Sequence, residues 1–127
     1  MKVLAFEDSF DIRQLLISQD VDLAAVELVQ KWNTTEWQKD IAEFNPEVLL
    51  LDHFIPPEKG LEVLQLLNVE VHHGRLQRPA TIVAISSSSM ANQRMLQFGA
   101  DLAVIKMELA TLDIWPTTGQ HSNVTQL

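Results

Sequence analysis

Hydrophobic residues along the chain fall into short apolar runs separated by stretches of helical periodicity. Five such runs predict strands, at residues 2–6, 26–29, 48–51, 81–85 and 102–105. Apolar runs of this length bounded by turn-forming residues are typical of buried strands. Because strands and helices alternate along the whole chain, the pattern predicts an α/β domain with one parallel sheet covered on both faces.

Between the runs, apolar residues recur at spacings of three and four, as on one face of a helix. The first predicted helix follows Ser9, a candidate N-terminal cap, and buries a face that includes Ile12 and Leu16. A second helix is predicted after Thr35 and Gln38, which have the spacing of a capping box.

The later helices are marked by the residues that begin or end them. Gly60 leads into a third helix, and Gly99 stands at the natural end of a fourth. Residues 107–115 remain for a short fifth helix. We therefore expect one domain over residues 1–115 and a polar C-terminal tail over residues 116–127.

Composition narrows the classes of partner. The 127 residues are 46% hydrophobic, which suits one domain with a real core. A formal net charge of -8 argues against nucleic acid or an anionic membrane as a partner, since both require clustered Lys and Arg. The absence of cysteine excludes disulfides and thiolate zinc sites. No signal-peptide pattern or apolar run of membrane-spanning length is present, so we expect a cytoplasmic protein.

Polar side chains follow four of the five predicted strands. Glu7 and Asp8 follow the first strand, Asp52 the third, Ser86 the fourth and Lys106 the fifth. The carboxyl ends of parallel strands meet at one edge of a sheet, where α/β proteins bind their ligands. We therefore expect three carboxylates, a hydroxyl and an amine to lie close together.

These residue types suit the transfer of a phosphoryl group. An aspartate such as Asp52 can attack phosphorus and form an acyl phosphate. The negative charge that gathers during this transfer must be neutralised, which Lys106 and a divalent cation can do. Mg²⁺ prefers oxygen ligands, as Glu7, Asp8 and Asp52 would supply. Ser86 can donate a hydrogen bond to a phosphoryl oxygen.

The order of these residues resembles the receiver domain of two-component response regulators, over residues 1–115. Its most specific part is Asp52 followed by Pro56 and Gly60, as in the phosphoacceptor loop of that family. The other matching positions are Glu7-Asp8, Ser86, Gly99-Ala100 and Lys106. The resemblance implies a flavodoxin-like three-layer sandwich with strand order 2-1-3-4-5, helices on both faces and a short last helix.

The resemblance also implies a role for each residue. Asp52 would be phosphorylated, Lys106 would contact the phosphoryl group, and Ser86 would be the switch hydroxyl, with Ser87 as the alternative. The ligands of Mg²⁺ would be Glu7, Asp8, Asp52 and the backbone carbonyl of Phe54. The phosphodonor would be a histidine kinase or a histidine phosphotransfer protein, and the signal would pass to an unknown downstream protein. We expect a monomer or a weak homodimer.

Departures from the family pattern lie where receiver domains usually signal. Met107 replaces the usual proline after the lysine, and Ala103 replaces the usual Tyr or Phe of the fifth strand. The alternative hypothesis is therefore a degenerate receiver that acts as a protein-binding adaptor without phosphorylation. A phosphohydrolase of the haloacid dehalogenase type would need a second acid two residues after Asp52. Phe54 occupies that position, which argues against an enzyme of this class.

Overall fold

Five parallel strands form the central sheet of the computed structural model, which describes residues 1–116. The strands β1 to β5 span Lys2–Phe6, Glu27–Lys31, Val48–Leu51, Thr81–Ala84 and Leu102–Ala103. Their order in the sheet is β2-β1-β3-β4-β5, and every neighbouring pair is parallel. The predicted flavodoxin-like topology is confirmed.

Helices cover both faces of the sheet, because apolar side chains alternate in direction along each central strand. The α-helices α1 to α4 span Ile12–Ser18, Trp37–Phe44, Gly60–His72 and Ser89–Gln97, and a 3₁₀ helix spans Lys106–Thr111. Leu4 and Phe6 of β1 face a core formed with α2, α3 and α4. Val3 and Ala5 face the opposite core, formed with α1 and the 3₁₀ helix.

Two predicted helix caps are wrong in detail. Asp11, not Ser9, caps α1, and its side chain accepts a hydrogen bond from the backbone N–H of Gln14 at 3.0 Å. Ser9 lies two residues before this cap, and its hydroxyl donates to the carboxylate of Asp8 at 3.3 Å. The N-cap of α2 is Glu36, which makes no side-chain capping bond, so the capping box predicted from Thr35 does not form.

The end of the chain departs most from the prediction. β5 has two residues rather than four, and a 3₁₀ helix replaces the fifth α-helix. The Thr111 hydroxyl donates to the carbonyl of Glu108, and the Trp115 indole N–H donates to the carbonyl of Leu109. An α-helix would need those carbonyls for its own backbone, so these side chains oppose its continuation. The predicted tail falls almost entirely on residues 117–127, outside the described residues.

The boundaries of two other strands shift by one or two residues, since β2 covers 27–31 and β4 stops at Ala84. Along the described part of the chain, no helix combines the length and apolar character that crossing a membrane requires.

Candidate functional site

Three carboxylates meet at the carboxyl edge of the sheet. Glu7 and Asp8 directly follow β1, and Asp52 directly follows β3, its immediate neighbour in the sheet. Each of the three supplies a carboxylate oxygen within 4.8 Å of the other two. Glu7 and Asp52 are buried, while Asp8 is partly exposed. The strand order, rather than any local feature, therefore brings these acids together.

Lys106 joins this cluster from the far end of the chain. Its Nζ lies 2.8 Å from Oε1 and 2.9 Å from Oε2 of Glu7, and 3.8 Å from Oδ2 of Asp52. The side chain is buried, and the ring of Phe10 covers its ammonium at 5.2 Å from the ring centroid. Met107 in place of a proline has not moved the ammonium away from the acids.

The two oxygens of Glu7 differ in their surroundings. Oε2 accepts hydrogen bonds from the backbone N–H groups of Ser9 and Phe10 and from Lys106. Oε1 is buried and accepts none, since Lys106 approaches it at ion-pair distance without hydrogen-bond direction. The Lys106 ammonium is therefore the positive charge that this buried oxygen faces. The carboxylates of Glu7, Asp8 and Asp52, whose oxygens lie within 4.8 Å of one another, fit a hard divalent cation, which takes carboxylate oxygens as ligands.

Burial raises the pKa of Asp52 from 3.8 to about 6. The charge of Lys106 opposes this shift, the charge of Glu7 adds to it, and the backbone N–H groups of Phe54 and His53 oppose it. Desolvation wins because the carboxyl is almost completely removed from water. Above this pKa the group is a carboxylate, which is the nucleophilic form.

Gly60 allows the loop that follows Asp52 to close tightly. A Cβ at this position would lie 2.2 Å from the carbonyl oxygen of Asp52 and 2.9 Å from the Cα of His53. The backbone N–H of Gly60 also donates to the carbonyl of His53, and the next N–H, of Leu61, donates to the His53 ring. The glycine predicted from the sequence is therefore required for close backbone approach.

Thr34 holds the same loop from the other side. Its buried hydroxyl donates to the carbonyl of Glu58 at 2.7 Å and accepts from the N–H of Glu58 at 2.8 Å. Its own N–H donates to the carbonyl of Pro56. One threonine from the segment after β2 thus fixes the middle of the loop that follows Asp52.

Gln30 of β2 fixes the loop that carries the acid pair. Its side-chain amide donates to the carbonyls of Glu7 and Phe10 and accepts from the N–H of Ile12. The loop between β1 and α1 is therefore held at both ends by one side chain.

Ser86 lies at the same edge, two residues beyond the end of β4, and is completely buried. Its hydroxyl accepts a hydrogen bond from the N–H of Ser88, which in turn caps α4. Ser87 is exposed. Of the two serines, Ser86 is therefore the one whose hydroxyl is buried at the strand ends.

Phe54 presents its side chain to solvent, with 57% of its surface exposed. Its ring packs edge-on against His53, with the centroids 4.7 Å apart. The proposed contact of its backbone carbonyl with a metal stays a prediction.

Sequence reasoning missed the residues that hold the site together, namely Phe10, Gln30, Thr34 and Asn92. Only Asn92 carried a usable signal, because it lies three residues before the apolar Met95 on the same helix face. A polar residue at a position that the pattern assigns to the core must satisfy its hydrogen bonds, and Asn92 does so against backbone groups of Ser86 and Val104.

The chain matches no protein-family model. A search of curated proteins also found no match.

Solved structures resemble it closely in shape. The response regulator domain of Thermotoga maritima CheB has a TM-score of 0.62 at 20% identity, covering 99% of this chain and 88% of that domain. The BeF3-activated N-terminal receiver domain of Klebsiella pneumoniae RstA has a TM-score of 0.63 at 21% identity, covering 99% and 97%. The Mn²⁺-bound response regulator Rcp1 has a TM-score of 0.63 at 16% identity, covering 91% and 99%. In each of the three, the likeness extends over at least 91% of this chain and not over a single motif.

Proposed function

We propose that this protein, which has the fold of response-regulator receiver domains, accepts a phosphoryl group on Asp52 and signals by protein contact. The observation that carries the proposal is the joint placement of a buried aspartate, a second buried acid and a buried ammonium at one sheet edge. Isolated acids at strand ends are mostly solvated, whereas these are desolvated and packed together.

The transfer uses groups already in place. An oxygen of Asp52 attacks the phosphorus of the donor, and a new P–O bond forms as the bond between phosphorus and the donor atom breaks. The donor atom leaves with the electron pair. Lys106, 3.8 Å from Asp52, is close enough to neutralise charge on the incoming phosphoryl oxygens, and Ser86 can donate its hydroxyl proton to one of them.

A divalent cation, Mg²⁺ in our proposal, would be held by Glu7, Asp8, Asp52 and the backbone carbonyl of Phe54. When bound, it supplies positive charge to the phosphoryl oxygens and relieves repulsion among the three carboxylates. The carboxylate oxygens of Glu7, Asp8 and Asp52, which lie within 4.8 Å of one another, support this assignment.

The phosphodonor we propose is a histidine kinase or a histidine phosphotransfer protein in the cytoplasm. The protein promotes its own phosphorylation and dephosphorylation and is not an enzyme acting on a separate substrate. Its effect passes through a downstream protein.

An adaptor that works without phosphorylation is the second candidate. The observation in its favour is the reduced signalling side, where β5 has two residues, Ala103 stands in place of an aromatic residue and a 3₁₀ helix follows. The chemistry of the acidic edge favours the first candidate.

Incubation with acetyl phosphate and Mg²⁺ separates the two. Intact-mass spectrometry should show one added phosphoryl group, absent from Asp52→Asn because an amide oxygen is a poor nucleophile. Asp113→Asn, which changes an exposed aspartate after the 3₁₀ helix, is the matched control and should be labelled like the wild type.

Absence of labelling in the wild type, together with no response to beryllofluoride in the presence of Mg²⁺, would favour the adaptor. Labelling that persists in Asp52→Asn would move the acceptor to another residue.

A further inference from the structure

Asn92 occupies a position that a helix normally gives to an apolar side chain. It lies in the first turn of α4, faces the sheet and is 5% exposed. Its carboxamide makes three hydrogen bonds. Oδ1 accepts from the N–H of Ser86 at 3.0 Å, and Nδ2 donates to the carbonyls of Ser86 at 3.0 Å and Val104 at 3.2 Å. A buried carboxamide whose oxygen and nitrogen are both hydrogen-bonded holds its partners in one geometry and does not merely fill space in the core.

These bonds lie just beyond the point where the backbone hydrogen-bond ladder between β4 and β5 ends. Pairing between β4 and β5 ends at Ala84 and Ala103, and the last ladder bond runs from the N–H of Val104 to the carbonyl of Ala84. Beyond this point the strands no longer bond to each other. The carboxamide of Asn92, which has the same donor and acceptor as a peptide group, fills the space between the two ends.

The bonds of Asn92 fix the position of Ser86. Both backbone groups of this residue bond to Asn92, so the position of its Cα is set by α4 rather than by the sheet. Its hydroxyl accepts from the N–H of Ser88, which leaves the hydroxyl proton for another acceptor.

We propose that Asn92 is a positioning residue of the phosphoacceptor site, which holds the Ser86 hydroxyl in place for the phosphoryl group. This inference rests on the proposed function, in which Ser86 donates to that group. It also couples α4 to the site, because Ser86 would displace the side chain of Asn92 if it moved toward a phosphoryl oxygen.

Two substitutions test the role. Asn92→Asp keeps the shape but places a carboxylate oxygen against two carbonyls, and Asn92→Ala removes all three bonds. The matched control is Asn68→Ala, since Asn68 of α3 is an exposed asparagine that donates one bond to the carbonyl of Phe98 at 2.8 Å. We expect both Asn92 variants to bind beryllofluoride and to react with acetyl phosphate at least about tenfold more weakly, because small displacements of a positioned group have large effects.

Mg²⁺ affinity separates positioning from general damage. The metal ligands lie on the other loops, so the Asn92 variants should bind Mg²⁺ within about twofold of the wild type. A parallel loss of Mg²⁺ binding in the Asn92 variants would overturn the inference. It would also be overturned if acetyl phosphate labels the wild type and labels the Asn92 variants equally fast.

A double-mutant cycle with Ser86→Ala tests whether Asn92 acts through the hydroxyl. If it does, Asn92→Ala should have little further effect on the rate once the hydroxyl is gone. If Asn92→Ala slows phosphorylation equally in the wild type and in the Ser86→Ala variant, the inference is overturned while the proposed function stays intact.

Should the Asn92 variants fail to fold, the wild type itself gives the answer by NMR. Addition of beryllofluoride with Mg²⁺ should shift the side-chain amide signals of Asn92 and leave those of Asn68 in place. Unmoved Asn92 signals upon binding would overturn the inference, and no binding at all would overturn the proposed function together with it.

Discussion

Lys106 is paired with Glu7 more closely than with Asp52. Its Nζ lies 2.8 Å from Oε1 of Glu7 but 3.8 Å from Oδ2 of Asp52. The two partners stand 99 residues apart in the chain, and both are buried. The ammonium therefore already has its counter-charge within the site, and a phosphoryl group arriving on Asp52 competes with Glu7 for it.

Lys106→Met should destabilise the fold, because it leaves the carboxylate of Glu7 buried without a counter-charge. Breaking a buried ion pair from one side costs about 3–5 kcal/mol. The double variant Glu7→Gln with Lys106→Met should recover a large part of that loss, since no buried charge remains unpaired. Urea unfolding of the wild type, both single variants and the double variant measures the coupling. Additive losses would mean that the pair contributes no interaction of its own.

Mg²⁺ binding should depend on Asp8, the most exposed of the three clustered acids. Asp8→Asn removes one ligand charge and should weaken the affinity by on the order of tenfold. Titration followed by tryptophan fluorescence or amide shifts measures the effect. Asp22→Asn, which removes an exposed acid outside the cluster, serves as the control. Equal affinities of wild type and Asp8→Asn would exclude Asp8 from the site.

Stability should respond to the ionisation of Asp52, whose pKa is raised by burial from 3.8 to about 6. Between these two values the folded protein holds a proton that the unfolded chain has released. The free energy of unfolding therefore falls as the pH rises through this range, by up to about 3 kcal/mol for two pKa units.

Asn at position 52 cannot ionise, so Asp52→Asn should match the wild type below pH 3.8 and become increasingly more stable than it as the pH rises to about 6. Chemical unfolding in the presence of a chelator, across this range, measures the difference. A constant gap between the two proteins at every pH would show that the carboxyl does not titrate with a raised pKa.

Much of the fold follows from the sequence because its signals are local. The apolar run Val48–Leu51 predicts a buried strand, and the acid that follows it lies at the sheet edge wherever the strand is placed. The loop from Asp52 to Gly60 was similarly predictable, because the spacing of these two residues permits only a short connection before α3. The acidic cluster then depends on strand order, which the family resemblance implied.

The parts that sequence reasoning missed depend on contacts between distant segments. Thr34 meets Glu58 across 24 residues, and Gln30 meets Glu7 across 23. No periodicity encodes such pairs, since either residue alone is compatible with an exposed loop or strand. The prediction of a fifth α-helix was wrong for a related reason. Side chains of Thr111 and Trp115 capture backbone carbonyls, and helix propensity does not include that competition.

Gly60→Ala should damage the acceptor loop, because the new Cβ would lie 2.2 Å from the carbonyl oxygen of Asp52. Backbone atoms cannot move aside without shifting Asp52 itself, so we expect a loss of about 1–3 kcal/mol or more and slower phosphorylation. Gly74→Ala is the comparison. Its Cβ would meet no atom within 4 Å, and only its φ of +71° opposes the substitution. Equal phosphorylation rates in both variants would contradict the close approach at Gly60.

Dephosphorylation should be slow because of the residue two positions after Asp52. Phe54 places an apolar ring where a polar side chain could orient an attacking water, and a phenyl group offers no hydrogen bond to that water. The substitution Phe54→Asn should leave folding nearly unchanged, since the ring is 57% exposed and its contact with His53 is edge-on. It should shorten the lifetime of the acyl phosphate by supplying an amide to hold the water. Phe54→Leu, which changes shape without adding a hydrogen-bonding group, is the control and should decay like the wild type. Loss of label from the three proteins, timed side by side after removal of the phosphodonor, decides the matter: equal decay of wild type and Phe54→Asn would remove Phe54 from the control of hydrolysis.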